Sequence, residues 1–402
     1  MTTTIGVLGT PWRASVTASG SIQPDDGAPL DWWVAADDRW HDPAAEATTR
    51  QAILDGTPVV ETRVRVPQGD VIQRVYAVAD FGGLTMIELE NDSPLPVAVA
   101  LSRADVLTSR PPTDMAIQGI SLPSGCIVVP IGHHTTIRVA LAHVDPCPGP
   151  LPPTIPPTPV QVSRGWLSQM EQASRLILPD RALVDRVVRE RSELALAGLD
   201  DPGDDPVAFL LGAFELTRLG WSVDDWLADI VGVASDLSAK VGKRGNGPSW
   251  DEDRALLGVG WLLTTRGDLR GSADVESVRA RLGARSSICL AAPEGIRAVA
   301  WVEDSLVRPV ASSGSRLGRS SAAATLFPAG HRSDWLGQSV EAYHLPAPGG
   351  RSVSFALRWH GERPAVLWEV TGVPGLTLTS GADPTWTTTE ATGEALWAIP
   401  KT

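Results

Sequence analysis

Lysine is almost missing from this 402-residue chain: it occurs only at Lys240, Lys243 and Lys401, and every other cationic residue is arginine or histidine. That skew reads as base composition of the gene, not as chemistry. Cysteine is scarce too. Cys126, Cys147 and Cys289 are too few and too scattered for a disulfide framework or a zinc cluster. No apolar run approaches the roughly 18 residues that a membrane helix needs. Met1 to Thr10 lacks a basic segment followed by an apolar one, so no secretory signal is expected, and a soluble cytoplasmic protein with reduced thiols is. The net charge of -13 argues against nucleic acid or an anionic membrane as partner. Walker phosphate loops, GxGxxG, HExxH, paired CxxC and GxSxG are all absent, so no cofactor is expected.

What is present supports a packed interior: 43% hydrophobic and 20% charged residues exclude a disordered or collagen-like chain. Pro146 to Pro159 holds eight prolines in fourteen residues, which predicts a stiff extended linker over 146–163. Residues 1–145 read as an antiparallel β-sandwich. Val60, Thr62, Val64 and Val66 alternate with Glu61, Arg63 and Arg65, and Pro67-Gln68-Gly69 turns the chain into the next strand. Over 164–285 the period becomes helical. The spacing predicts helices at Gly165–Leu178, Arg181–Ala197, Pro206–Leu219, Val223–Lys240, Trp250–Thr265 and Ala273–Leu282, paired as three αα-hairpins. Asp205-Pro206 and Ser249-Trp250-Asp251-Glu252 are start signals. Leu216-Thr217-Arg218-Leu219-Gly220 recurs 47 residues on as Leu263-Thr264-Thr265-Arg266-Gly267, a period that suits a toroid or a solenoid of hairpins. Over 286–402 strands are expected again, among them Ser287–Ala292 and Ile296–Glu303, with the clearest hairpin at Val353 to Val370 around Gly361-Glu362.

Few residues suggest chemistry. Gly314 to Ser321 reads as a mobile basic loop. His133 and His134, adjacent in a strand, point to opposite faces, and His143 with Asp145 lacks a third ligand, so no metal site is expected. Tryptophan is abundant, fifteen against five Phe and two Tyr. Its flat apolar face and single N–H donor suit stacking on a sugar ring while bonding a hydroxyl. Trp32, Trp33, Trp40 and Trp386 are the candidate sugar platforms; Trp32 and Trp33 point opposite ways in a strand, so one of them is expected at the surface. Glu369 sits mid-strand among apolar residues. Buried, its pKa would rise as a general acid requires, whereas Arg358 or Arg363 would make it half of an ion pair. Glu362, in the hairpin turn, is the second candidate acid.

A β-sandwich, a linker, αα-hairpins and further strands together resemble the six-hairpin glycosidases of the glucoamylase and glycogen-debranching type. Asn91-Asp92-Ser93-Pro94-Leu95-Pro96-Val97-Ala98-Val99-Ala100 looks like a strand pair of their N-terminal sandwiches. Arg358-Trp359-His360-Gly361-Glu362-Arg363-Pro364-Ala365-Val366-Leu367-Trp368-Glu369 looks like a C-terminal segment of actinobacterial proteins of that type. The resemblance implies a carbohydrate-related role, glycan binding or glycoside hydrolysis. It departs in one respect. Six hairpins at this period need roughly 280 residues, and the helical region spans only 164–283. The alternative is a non-catalytic scaffold or protein-interaction module built on the hairpins.

Overall fold

The computed structural model describes residues 2–113, 122, 124–152, 156–203, 205–244, 247–283, 291–310 and 322–400. The chain divides into two compact units, Met1–Ser168 and Gln169–Thr402. It is a mixed α+β protein with several antiparallel sheets, and no helix among the described residues is long and apolar enough to cross a membrane.

The first unit runs through β1 (Thr3–Gly6), β2 (Arg13–Val16), β3 (Ile22–Pro24), β4 (Trp32–Ala35), β5 (Trp40–His41), β6 (Arg50–Ile53) and β7 (Val60–Val66). It continues with β8 (Gly69–Val78), β9 (Leu84–Asn91), β10 (Val97–Leu101), β11 (Leu107–Thr108), β12 (Ile127–Ile131), β13 (Thr135–Ala142) and β14 (Gly149–Pro150). Three sheets form: β1-β2-β3, β12-β10-β4-β5, and the seven-stranded β14-β11-β13-β9-β8-β7-β6. Alternation decides their faces. Val60, Val64 and Val66 of β7 join Trp32 and Val34 of β4 and Val97, Val99 and Leu101 of β10 in one buried cluster between the layers. The turn into β8 pairs Val66 with Gly69, and Gln68 adopts φ +64 after Pro67.

The proline-rich segment is more than a spacer. Gly149 and Pro150 form β14 beside β11, Leu151 packs under the seven-stranded sheet, and the buried Tyr76 donates its hydroxyl to the Pro157 carbonyl at 3.0 Å. Short strands and prolines coexist here because an edge strand needs few ladder donors. The helix expected from Gly165 instead starts earlier, as α1 (Pro159–Met170).

The second unit contains β15 (Arg175–Ile177), α2 (Arg181–Ala197), α3 (Pro206–Arg218), α4 (Leu227–Arg244), α5 (Trp250–Thr265), α6 (Leu269–Leu282) and α7 (Ile296–Leu306). Then come β16 (Val307–Val310), β17 (Ala322–Leu326), β18 (Val340–Ala347), β19 (Arg351–His360), β20 (Arg363–Thr371), β21 (Leu376–Ser380), β22 (Thr387–Thr388) and β23 (Thr392–Leu396). They build a five-stranded sheet, β15-β18-β19-β20-β23, and a four-stranded one, β16-β17-β21-β22. Asp205 caps α3 by accepting from the Ala208 N–H at 3.1 Å, and the Ser249 N–H donates to Glu252 at 2.7 Å at the start of α5. The 47-residue repeat is a repeated helix stop: Trp221 N–H to Leu216 carbonyl, and Asp268 N–H to Leu263 carbonyl, each across a positive-φ glycine.

One expected element changes type. Ile296–Glu303 is not a strand but the greater part of α7. Its β-branched residues suit a strand locally, but Val299, Val302 and Leu306 lie at helical spacing and bury together against both sheets. Helix α7 thus joins α2 and the late strands in one hydrophobic cluster. The strand expected at Ser287–Ala292 and the loop at Gly314–Ser321 lie outside the described residues, apart from Ala291 and Ala292.

Candidate functional site

The densest collection of charge is buried at the helices of the second unit. Glu303 of α7 is fully excluded from solvent. Arg191 of α2 reaches its Oε1 at 2.8 Å, Arg218 of α3 reaches both oxygens at 2.9 and 3.0 Å, and Arg254 of α5 reaches Oε2. Ser174 donates to Oε1 at 2.6 Å, and Glu215 bridges Arg191 and Arg218. Burial opposes the charge, yet Arg218, Arg254 and Arg191 hold the Glu303 carboxyl far below the usual carboxylate range. Its neighbour Asp304 is pushed up to about 6 by burial, against the pull of Arg254 and Arg308. A carboxylate saturated by donors has no proton to give and no free lone pair to offer, so this cluster is a structural pin.

The two candidate acids are elsewhere in that unit, and both are exposed. Glu369 faces outward from β20, opposite Ser354 on one side and Thr392 on the other. Arg358 reaches toward Glu341 at 3.3 Å and Arg363 donates to the Trp397 carbonyl at 3.3 Å, so neither forms the expected pair with Glu369. Glu362 occupies the turn before β20. Seven positions of mostly extended chain put their backbones roughly 20 Å apart, well beyond the roughly 5–10 Å that the carboxyls of a hydrolytic pair require. Trp386 is partly buried and packs edge-on to Trp368 and at a tilt to Trp397, with ring centroids 5.2 and 5.5 Å away.

In the first unit, Trp32 is core: 2% exposed, it donates its indole N–H to the Ser19 carbonyl at 2.9 Å. The same alternation turns Trp33 outward. On the outer face of the β12-β10-β4-β5 sheet, Trp33 lies opposite Ala100, and Trp40 lies opposite Ala35. Ala98 and Pro130 continue that face. Trp33 and Trp40 are therefore diagonal neighbours on adjacent strands, with Cβ atoms roughly 7–8 Å apart. Ala100 beside Trp33 is fully buried, whereas both indoles are partly exposed. Unlike Trp32, Trp359 and Trp368, whose N–H groups bond carbonyls, Trp33 has no acceptor for its N–H among the described residues.

The hairpin that presents Trp40 is braced. Ala36 N–H bonds the Arg39 carbonyl at 3.0 Å across Asp37-Asp38. The buried His41 ring is held between Asp38 at 3.0 Å and Glu46 at 3.2 Å, and Arg39 also bonds Glu46. Burial nudges the Asp38 carboxyl up, but the hydrogen bond and charge of His41 keep it below the usual range. The Arg39 hydrogen bond lowers Glu46 in the same way. Such a surface can stack a sugar ring on either indole and donate one hydrogen bond to a hydroxyl.

His143 stacks on Trp12 with centroids 3.6 Å apart, and burial lowers it to about 4. No group of three metal-ligating side chains occurs among the described residues. Asn91, in the Asn-Asp-Ser triplet, is fully buried and its amide bonds the Leu95 and Gly132 carbonyls. The chain matches no protein-family model and no curated protein. Sequence reasoning named Trp33 and Trp40 but missed the Glu303 cluster, whose signal was an acidic pair, Glu303-Asp304, inside an apolar helical period.

Proposed function

We propose that this protein is a non-catalytic glycan-binding protein that shares the layout of the six-hairpin glycosidases, with Trp33 and Trp40 as its sugar platform. The observation behind this reading is the outward Trp33 indole, with an N–H that has no acceptor among the described residues, and Trp40 diagonal to it beside Ala35. Binding rather than hydrolysis is supported by the separation of Glu362 and Glu369. The helical hairpins, their interior occupied by the Glu303 ion cluster, act as scaffold. The free Cys126 and Cys147 suit a reducing compartment, and we place the protein in the cytoplasm.

The test is a glycan panel read by thermal shift, since a ligand that binds the native state raises its melting temperature. Wild type is expected to shift with at least one oligosaccharide. Trp33→Ala and Trp40→Ala should lose the shift while keeping the unliganded melting temperature. A shift that survives both substitutions would move the site elsewhere, and no shift across the panel would sink the reading.

A further inference from the structure

Four aspartates, Asp31, Asp37, Asp38 and Asp42, adjoin the platform in sequence. Asp31 lies one residue before β4 and continues its pairing, its carbonyl accepting the Ser102 N–H at 3.0 Å, so alternation sets it on the side of Trp33. Asp42 follows β5 directly, two residues from Trp40 in sequence, and its carbonyl accepts from the Ala45 and Glu46 N–H groups. Asp37 and Asp38 form the exposed turn between the two strands. In that turn Arg39 is tied to Glu46 and Asp38 to His41, which leaves Asp37 as its free charge among the described residues. The Asp31 side chain accepts from Ser21 through Oδ1, and that of Asp42 accepts from the Ala44 N–H through Oδ1. Among the described residues neither Oδ2 has a hydrogen-bond partner.

Resting on the glycan reading, we propose that the ligand is a cationic one: an oligosaccharide of protonated amino sugars. Two features select it. An indole face attracts a cation through its quadrupole as well as stacking on the apolar side of a sugar ring. The flanking carboxylates complement an ammonium group and repel uronate or sulfated chains. A neutral glycan would gain only the stacking. The net charge of the whole chain, -13, works in the same direction at longer range.

The experiment titrates the full chain with a glucosamine oligomer, its N-acetylated counterpart, a neutral glucan oligomer and a polyuronate, following tryptophan fluorescence. The glucosamine oligomer is expected to bind roughly tenfold tighter than its N-acetylated form and to weaken as ionic strength rises past about 0.15 M. The polyuronate should not bind. Asp31→Asn and Asp42→Asn keep the Oδ1 acceptor and should reduce glucosamine affinity several-fold without changing affinity for neutral glycans. Equal affinity for the charged and acetylated oligomers, with binding still lost in Trp33→Ala, overturns the cationic ligand and leaves the glycan reading standing. Binding of the glucosamine oligomer that is indifferent to Trp33→Ala overturns both.

Discussion

Glu303 receives three guanidinium groups from three different helices, Arg191, Arg218 and Arg254, at a site without solvent. An ion cluster of this kind contributes less than its contacts suggest while intact, because each charge lost its hydration on burial. Breaking it is another matter. Glu303→Gln leaves three buried cations short of a counter-charge and should destabilise the protein by about 3–5 kcal/mol in urea unfolding. A loss below about 1 kcal/mol would contradict this account of the cluster. The folded-state pKa of Glu303 lies below its ordinary value of 4.5, so its contribution is complete above that pH and is lost as pH falls toward about 2. Trp33 shows how a residue's role turns on parity alone: one position along β4, Trp32 is interior and bonded, while Trp33 is outward.

Elements whose local signals agreed with their surroundings were legible from sequence. Helices α2 and α5 begin and end where periodicity and capping residues place them, and the β19–β20 hairpin closes at Gly361-Glu362 with His360 opposite Arg363. Those that failed did so where tertiary burial overrode propensity. Ile296-Arg297-Ala298-Val299-Ala300-Trp301 has strand-forming residues, but the sheets need a helical cover there, and α7 supplies it. The expected ion pair of Glu369 failed for a similar reason, since strand register set Arg358 opposite Ala365 and brought Glu341 within its reach. The hairpin offers a clean test of turn geometry. Gly361 adopts φ +63, and a Cβ there would meet nothing within 4 Å. Gly361→Ala should therefore cost only backbone strain, about 1–2 kcal/mol in the urea midpoint. A neutral or stabilising alanine would show that the turn does not require the left-handed conformation.

At the scale of the molecule, each unit solves burial in its own way. The first closes two layers of sheet over an aliphatic core and keeps one outer face apolar and aromatic, with Trp33, Trp40, Ala35, Ala98 and Pro130. The second covers two sheets with helices and pins those helices with buried arginines. The aromatic face was half legible in sequence. Alternation separated Trp32 from Trp33, but the diagonal with Trp40 depends on the pairing of β4 with β5, which spacing alone does not fix. The most direct test of the proposed function is the set of tryptophan indole N–H resonances, assigned with a Trp33→Phe variant and followed through a titration with glucosamine oligomer. The Trp33 resonance should move first and furthest, because its N–H is the unused donor on the platform. A titration in which Trp386 or another indole moves and Trp33 stays in place would contradict the account.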